Sequence, residues 1–128
     1  MGELCLNKKV LSVIDIGSSA IRMSIVEVID GKISILEELR QQVRLGKDTF
    51  NKGKILRPTI NQCILILKNY KNLCDEYKVE EIYVVATTAV REASNVDIFI
   101  DNIFSNTGLA VEIISTTKET EYIYNAIV

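Results

Sequence analysis

Residues 10–35 read VLSVIDIGSSAIRMSIVEVIDGKISI, and they are the most informative part of the sequence about the fold. Residues 10–16 form an apolar, β-branched run that is typical of a buried strand and leads into a glycine turn. Over residues 21–29, apolar and polar side chains alternate, as they do on a strand with one buried face. Asp30-Gly31 is a strong signal for a two-residue hairpin, so residues 32–40 are predicted to return as a third strand. The first forty residues therefore predict a three-stranded antiparallel meander.

The middle of the chain changes from strands to a helix. Glycines and polar residues between 41 and 56 predict a loop. Pro58 suits the first turn of a helix, and the sequence predicts a helix over 58–77 because apolar residues recur at steps of three and four. These residues are Ile60, Cys63, Ile64, Leu67, Tyr70, Cys74 and Tyr77. A buried strand is predicted to follow over 81–86.

The last third of the chain continues this alternation. Ser94 or Asn95 is predicted to cap a second helix with Asp97 in its first turn, and Gly108 is predicted to end it. The predicted apolar face of this helix consists of Val96, Ile100, Ile103 and Phe104. A fifth strand over 109–114 and a helix from about Thr117 complete the order β-β-β-α-β-α-β-α. This order indicates an α/β fold with a mixed five-stranded sheet flanked by helices, in which ligands bind at the carboxyl ends of strands.

Length and composition exclude several classes of function. The chain has 128 residues, the size of one domain, and its 15 Lys and Arg against 17 Asp and Glu give a net charge of −2. Binding to nucleic acid or to a membrane through bulk positive charge is therefore excluded. The chain has no histidine, which excludes a Ser-His-Asp triad, a His-liganded zinc and a His proton shuttle. Any acid–base chemistry must use carboxylates, Lys, Tyr or Cys.

The cysteines and the apolar runs bear on location. Cys5, Cys63 and Cys74 have no C-x-x-C spacing, and the last two are predicted to be buried free thiols of a reducing cytosol. No apolar run is long enough for a transmembrane helix, and the amino terminus lacks the core of a signal peptide. The sequence thus predicts a cytoplasmic protein with no membrane partner.

The first candidate site is the segment DIGSSA at 15–20, between the first two predicted strands. Gly17 allows the backbone to approach a ligand closely, and the turn's N–H groups and the hydroxyls of Ser18 and Ser19 suit a phosphate. Asp15, at the end of a strand, suits Mg²⁺ bound directly or through water. An ordinary hairpin turn uses the same residue types, and the local sequence alone favours that simpler interpretation.

Two further candidates follow the fourth and fifth predicted strands. Arg91 suits bidentate binding of phosphate oxygens, although a surface ion pair with Glu92 or Asp97 is the simpler interpretation. Glu119 suits a general base, but Thr116 and Glu119 also have the S/T-x-x-E spacing of a capping box, which the local evidence favours. The three candidates follow strands one, four and five, so a mixed sheet is expected to bring them to one edge.

Three segments together resemble the exopolyphosphatase/guanosine pentaphosphate phosphohydrolase (Ppx/GppA) family. They are VIDIGSSAIRM at 13–23, VATTAVREASN at 85–95 and EIISTTKET at 112–120, and their order and spacing match the family's amino-terminal domain. The resemblance implies a ribonuclease H-like, actin-like ATPase domain. The resemblance also implies that residues 1–128 are a single domain, the amino-terminal half of a two-domain phosphohydrolase. The missing carboxy-terminal domain carries a second phosphate loop, so the 128 residues alone are expected to turn over little substrate.

The same resemblance implies a reaction and assigns roles within it. The reaction is Mg²⁺-dependent hydrolysis of a terminal phosphoanhydride, in inorganic polyphosphate or in guanosine pentaphosphate. Asp15 would help to place Mg²⁺, and Glu119 would activate or orient the attacking water. The residues that bind phosphate would be Gly17, Ser18, Ser19 and Arg91.

This chain departs from the family pattern at several positions. The family usually has Asn and Ser where Ser19 and Ala20 stand, Gly where Thr116 stands, and an acidic pair where Lys118-Glu119 stands. These departures keep two alternatives open, namely another actin-like phosphotransferase or ATPase and a non-catalytic phosphate-binding module. The expected partners are the phosphate substrate and the missing domain, with no nucleic acid and no membrane, and a homodimer is a possible assembly.

Overall fold

A mixed five-stranded sheet forms the centre of the computed structural model, which describes residues 7–115. The strands are β1 (Lys8–Ile16), β2 (Ala20–Ile29), β3 (Lys32–Gln42), β4 (Glu81–Ala86) and β5 (Val111–Ile113). Their order across the sheet is β3-β2-β1-β4-β5. β2 pairs antiparallel with both β1 and β3, whereas β4 pairs parallel with both β1 and β5. The predicted mixed sheet is confirmed.

The first three strands form the predicted antiparallel meander. Asp30 and Gly31 turn between β2 and β3 with φ angles of 49° and 80°, the pair of left-handed residues that a type I′ hairpin turn requires. The register of the two strands shifts at Ile25 and Val26 of β2. This shift leaves Leu36 as an extra residue on β3, which makes a β-bulge in the strand at the edge of the sheet.

Four helices accompany the sheet in the described part of the chain. They are α1 (Leu45–Lys52), α2 (Arg57–Glu76), α3 (Thr88–Arg91) and α4 (Val96–Thr107). α2 has Pro58 in its first turn and buries apolar residues at the predicted spacing. Tyr70 of α2 is buried, and its hydroxyl donates to the carbonyl of Ile21 at 2.7 Å. This bond ties the longest helix to the central strands.

The sheet face that packs against α2 and α4 is called the helix face. Ile14 and Ile16 of β1 enter the core on this face, together with buried residues of both helices. Because side chains alternate along a strand, Val13 and Asp15 point to the opposite face. Cys63 of α2 lies in the helix-face core, and it and Cys74 are buried free thiols, as predicted. Cys5 lies outside the described residues.

The prediction that residues 41–56 form a loop was wrong. Residues Leu45–Lys52 form α1, which ends at Gly53 with a φ of 76°. Gly46 and Asn51 are poor helix formers, so local propensity does not favour a helix here. Tertiary contacts stabilise it instead, because Leu45 is fully buried and buried Asp48 accepts the N–H of Leu56 at 3.0 Å. The single turn α3 was also not predicted.

Two details of the second predicted helix were wrong, although α4 does end at Gly108. Phe104 was assigned to the buried face but is 57% exposed, whereas Phe99 is fully buried. Apolar residues lie on most sides of α4, so their spacing alone cannot select the buried face. Asn95 precedes the helix without capping it through its side chain. Its side-chain amide instead bonds both the N–H and the carbonyl of Ile55, at 2.9 and 2.8 Å.

The end of the described region differs slightly from its prediction. β5 covers residues Val111–Ile113 and is shorter than the predicted 109–114. The helix predicted from Thr117 lies outside the described residues. Within residues 7–115, no helix is long and apolar enough to cross a membrane.

Candidate functional site

Three candidate segments start side by side at one end of the sheet. Ile16 of β1 pairs with Ala86 of β4, and Ala86 pairs in turn with Ile113 of β5. These strands are parallel, so their carboxyl ends are level with one another. The N–H of Ile114 donates to the carbonyl of Ala86 at 2.9 Å, which continues the pairing past β5. As predicted, the segments that follow β1, β4 and β5 begin at the same edge.

The turn between β1 and β2 offers donors at this edge. The N–H of Gly17 donates to the carbonyl of Ala20 at 2.9 Å, so this donor closes the hairpin and is not available to a ligand. Ser18 and Ser19 are exposed, and the carbonyl of Ser18 accepts the N–H of Gly46 at 2.8 Å. Because C=O and N–H of a trans peptide point in opposite directions, the N–H of Ser19 points away from Gly46. The turn thus presents the N–H of Ser19 and the hydroxyls of Ser18 and Ser19 to a ligand.

Asp15 lies next to this turn, on the face opposite the helices. It pairs in register with Arg22 of β2 and is half-buried. Its carboxylate has no hydrogen bond or ion pair with any residue from 7 to 115. The same residues contain no group of three or more acidic or thiol side chains that could hold a metal. Mg²⁺ often uses only one or two carboxylates and completes its shell with water and substrate phosphates, so a lone carboxylate here fits Mg²⁺.

Arg91 is the last residue of α3, directly after β4. Its Nη1 donates to the carbonyl of Ile114 at 3.3 Å, so the guanidinium reaches from the segment after β4 to the one after β5. Its Nε lies 3.9 Å from the Glu92 carboxylate, and the side chain is 39% exposed. The surface ion pair with Glu92, which was the simpler interpretation of Arg91, is therefore weak. A guanidinium has five N–H donors, and most of those of Arg91 have no partner among residues 7–115 and can bind an anion.

Helix α1, which the sequence did not predict, contacts two of these segments. Gly46 donates its N–H to Ser18, and Thr49 donates its hydroxyl to the carbonyl of Ala89 in α3 at 2.7 Å. No periodic apolar pattern marks this helix. The sequence has one local feature that fits these close contacts. Gly46 and Thr49 are small and three residues apart, so they lie on the same side of α1.

Glu119, the predicted catalytic carboxylate, lies outside the described residues. Its capping-box alternative depends on Thr116, which also lies outside them. Its role therefore stays a prediction.

The thiols of Cys63 and Cys74 and the phenol of Tyr83 are poor candidates for a competing nucleophile. Burial raises the pKa of Cys63 to about 12, and the nearby Asp48 carboxylate adds to the effect. Burial also raises the pKa of Cys74. A 2.6 Å hydrogen bond to Glu81 raises the pKa of the Tyr83 phenol. At about 3.3 Å per residue, Glu81 lies roughly 17 Å and Tyr83 roughly 10 Å from the carboxyl end of β4.

Known proteins match both the sequence and the structure. A family model described as the Ppx/GppA phosphatase family matches residues 24–128. The crystal structure of the Aquifex aeolicus member of that family is 38% identical, with a TM-score of 0.86, and the match covers 94% of this chain and 39% of that one. An exopolyphosphatase structure from Cytophaga hutchinsonii is 28% identical, with a TM-score of 0.83, and the match covers 93% of this chain and 38% of that one. These matches confirm the ribonuclease H-like, actin-like fold class.

Two curated relatives extend the comparison. A bifunctional 3-dehydroquinate synthase/phosphatase from Fusobacterium nucleatum is 36% identical over 83% of this chain and 17% of its own length. A guanosine-5'-triphosphate,3'-diphosphate pyrophosphatase from Vibrio vulnificus is 26% identical over 94% of this chain and 24% of its own length. The chain therefore spans less than a quarter of the length of either relative.

Proposed function

The chain belongs to the Ppx/GppA phosphatase family, and on this basis we propose that it is the amino-terminal domain of a phosphohydrolase that cleaves terminal phosphoanhydrides. The observation that carries the proposal is the position of Arg91, whose Nη1 lies 3.3 Å from the Ile114 carbonyl and bridges two of the converging segments. A phosphoanhydride chain is densely negative. A guanidinium fork and the donors of Ser18 and Ser19 are groups that bind such a charge well.

In the proposed reaction, water attacks the terminal phosphorus in line with the leaving oxygen. Arg91 neutralises charge that develops on the transferred phosphoryl group, and Ser18 and Ser19 orient the phosphate chain. Asp15 would hold Mg²⁺ together with the substrate, and the bound ion would supply further positive charge at the phosphate oxygens. Glu119 orients or activates the water, a role that rests on the family resemblance alone.

We propose that residues 1–128 form one domain of a two-domain enzyme. The Aquifex aeolicus structure supports this, because the match covers only 39% of its chain. Electrostatic preorganisation supplies most of the rate in this kind of chemistry. We therefore expect the 128-residue chain alone to release phosphate far more slowly than the full-length protein. Equal turnover numbers for the two would contradict the division into two domains.

Two substrates are proposed, inorganic polyphosphate and guanosine pentaphosphate. The names of the Cytophaga hutchinsonii and Vibrio vulnificus proteins each support one of them. The test is phosphate release by the full-length protein from each substrate, with Mg²⁺ and with EDTA. We expect release from chain ends that EDTA abolishes. Binding without release would favour the non-catalytic module, and transfer of phosphate to an alcohol acceptor would favour a phosphotransferase.

The metal role of Asp15 has its own test. Asp15→Asn is expected to raise the Mg²⁺ concentration needed for half-maximal activity, because one negative ligand is lost. Asp101→Asn is the matched control, since Asp101 is an exposed aspartate of α4 away from the carboxyl ends of the strands. A Mg²⁺ dependence that is unchanged in Asp15→Asn, or changed equally in both variants, would rule out the role.

The role of Glu119 is tested by Glu119→Gln in the full-length protein. The amide keeps the shape and much of the capping ability but cannot take a proton. We expect hydrolysis to be lost while the midpoint of thermal unfolding changes little. If activity survives, the capping box is the better account of this residue.

Location and assembly are part of the same proposal. Two buried free thiols support a reducing compartment such as the cytoplasm. Ile33 and Ile35 on the edge strand β3 are 50% and 60% exposed, which supports self-association into a homodimer. Sedimentation of the full-length protein measures its assembly, and a monomer at all concentrations would exclude the dimer.

A further inference from the structure

We propose that helix α1 is a strut that sets the distance between the Ser18–Ser19 turn and Arg91, and that Gly46 and Thr49 are positioning residues for the reaction. This inference rests on the proposed function. It concerns residues that make no contact with the phosphate themselves and act through the groups that do.

The amino-terminal end of the strut lies against the first turn. The N–H of Gly46 donates to the carbonyl of Ser18 at 2.8 Å. A Cβ at position 46 would lie 2.9 Å from the Cβ of Ser18, closer than two such carbons approach. Only glycine therefore allows α1 to approach the turn closely enough for this hydrogen bond. Any larger residue must push the turn outward or move the helix.

The next turn of the strut lies against α3. Thr49 is three residues after Gly46, so both face the same side of the helix. Its hydroxyl donates to the carbonyl of Ala89 at 2.7 Å, and both residues are buried. Carbonyls in the last turn of a helix have no intrahelical partner. The N–H groups of Arg91, Glu92 and Ala93 donate to the carbonyls of Thr87, Thr88 and Val90. Thr49 therefore supplies the bond that the Ala89 carbonyl lacks.

The residues that follow the strut also contact the segment after α3. The N–H of Ser94 donates to the carbonyl of Gly53 at 2.9 Å, and the Asn95 side chain bonds both backbone groups of Ile55. α3 is a single turn, and a helix that short has little stability of its own. The position of Arg91 at its end is thus set by these contacts from outside.

The test measures kcat and KM for the full-length protein and for Thr49→Val, which keeps the shape of the side chain but removes the hydroxyl. We expect kcat to fall on the order of 100-fold, because small displacements of a catalytic group cost about that much, with a smaller change in KM. Thr49→Ser keeps the donor and is expected to retain most of kcat. Gly46→Ala is a second, independent variant and is expected to lower kcat as well.

Thr107→Val is the matched control. Thr107 is also a buried threonine whose hydroxyl donates to a backbone carbonyl at 2.7 Å, but it lies at the end of α4. We expect it to lower the unfolding midpoint at least as much as Thr49→Val, since the Thr107 hydroxyl also accepts the N–H of Leu109 at 3.1 Å, and to leave kcat within about twofold. A similar loss of kcat in both variants would show a general loss of packing and would overturn the inference.

A double-mutant cycle tests whether Thr49 acts through Arg91. In an Arg91→Ala background, Thr49→Val is expected to have little further effect on kcat. The same factor in both backgrounds would overturn the inference. If the wild-type protein releases no phosphate, the proposed function fails on its own, and affinity for tripolyphosphate becomes the readout. In that case weaker binding by Thr49→Val but not by Thr107→Val supports the strut, and equal binding by all three proteins refutes it.

Discussion

Arg91→Ala in the full-length protein is expected to slow phosphate release strongly while stability changes little. The described contacts of Arg91 are a 3.3 Å hydrogen bond to Ile114 and a 3.9 Å approach to Glu92, on a side chain that is 39% exposed. Contacts of this kind contribute roughly 0–1 kcal/mol to stability. An arginine that neutralises the transferred phosphoryl group is worth about 1,000-fold in rate or more. That factor is about 4 kcal/mol at 1.36 kcal/mol per tenfold.

The assay compares kcat/KM for phosphate release with the free energy of unfolding from a denaturant titration. Arg57→Ala is the matched control, because Arg57 is also an exposed arginine with one hydrogen bond, to Asn102 at 3.1 Å, but lies at the start of α2. We expect both variants to lose little stability and only Arg91→Ala to lose rate. Arg91→Lys keeps the charge but not the fork and is expected to be intermediate. If Arg91→Ala and Arg57→Ala have equal rates, the surface interpretation of Arg91 is correct.

Three further predictions concern the fold. Phe99→Ala is expected to cost about 3–5 kcal/mol in a denaturant titration, and Phe104→Ala less than about 0.5 kcal/mol; similar costs would contradict the assignment of the buried face. Tyr70→Phe removes one buried hydrogen bond, to the carbonyl of Ile21, and is expected to cost about 0.5–1.5 kcal/mol; an unchanged midpoint in thermal scans would contradict this. The folded Cys63 has a pKa of about 12, above the unfolded value of about 9, so the stability from its neutral form is complete below pH 9 and is lost as the pH rises towards 12. Unfolding titrations from pH 8 to 11 should therefore show a steeper fall for the wild type than for Cys63→Ala, and parallel curves would refute this.

Local patterns predicted much of the fold because each feature depends on neighbouring residues only. Alternating side chains marked β2, and the Asp30-Gly31 pair specified a turn that only left-handed residues can make. The apolar stripe of α2 has the helical period, so the helix and its buried face were both predicted. The meeting of three segments at one edge followed from strand order alone, since parallel strands end together.

Other features depended on contacts between residues far apart in the chain. α1 contains poor helix formers, and it exists because Leu45 is buried and Asp48 and Thr49 bond groups outside the helix. Likewise, α4 is apolar on most sides, so only packing against α2 selects Phe99 for burial rather than Phe104.

The same division applies to the candidate site. The residue types that follow β1 and β4 were enough to identify Asp15, Ser18, Ser19 and Arg91 as candidates. The contacts that hold these groups in place depend on the fold of the whole domain. In the folded domain, the N–H of Gly17 closes the hairpin by donating to Ala20, and Arg91 donates to the carbonyl of Ile114. The physical reason is that a hydrogen bond between distant segments leaves no periodic trace in the sequence of either one.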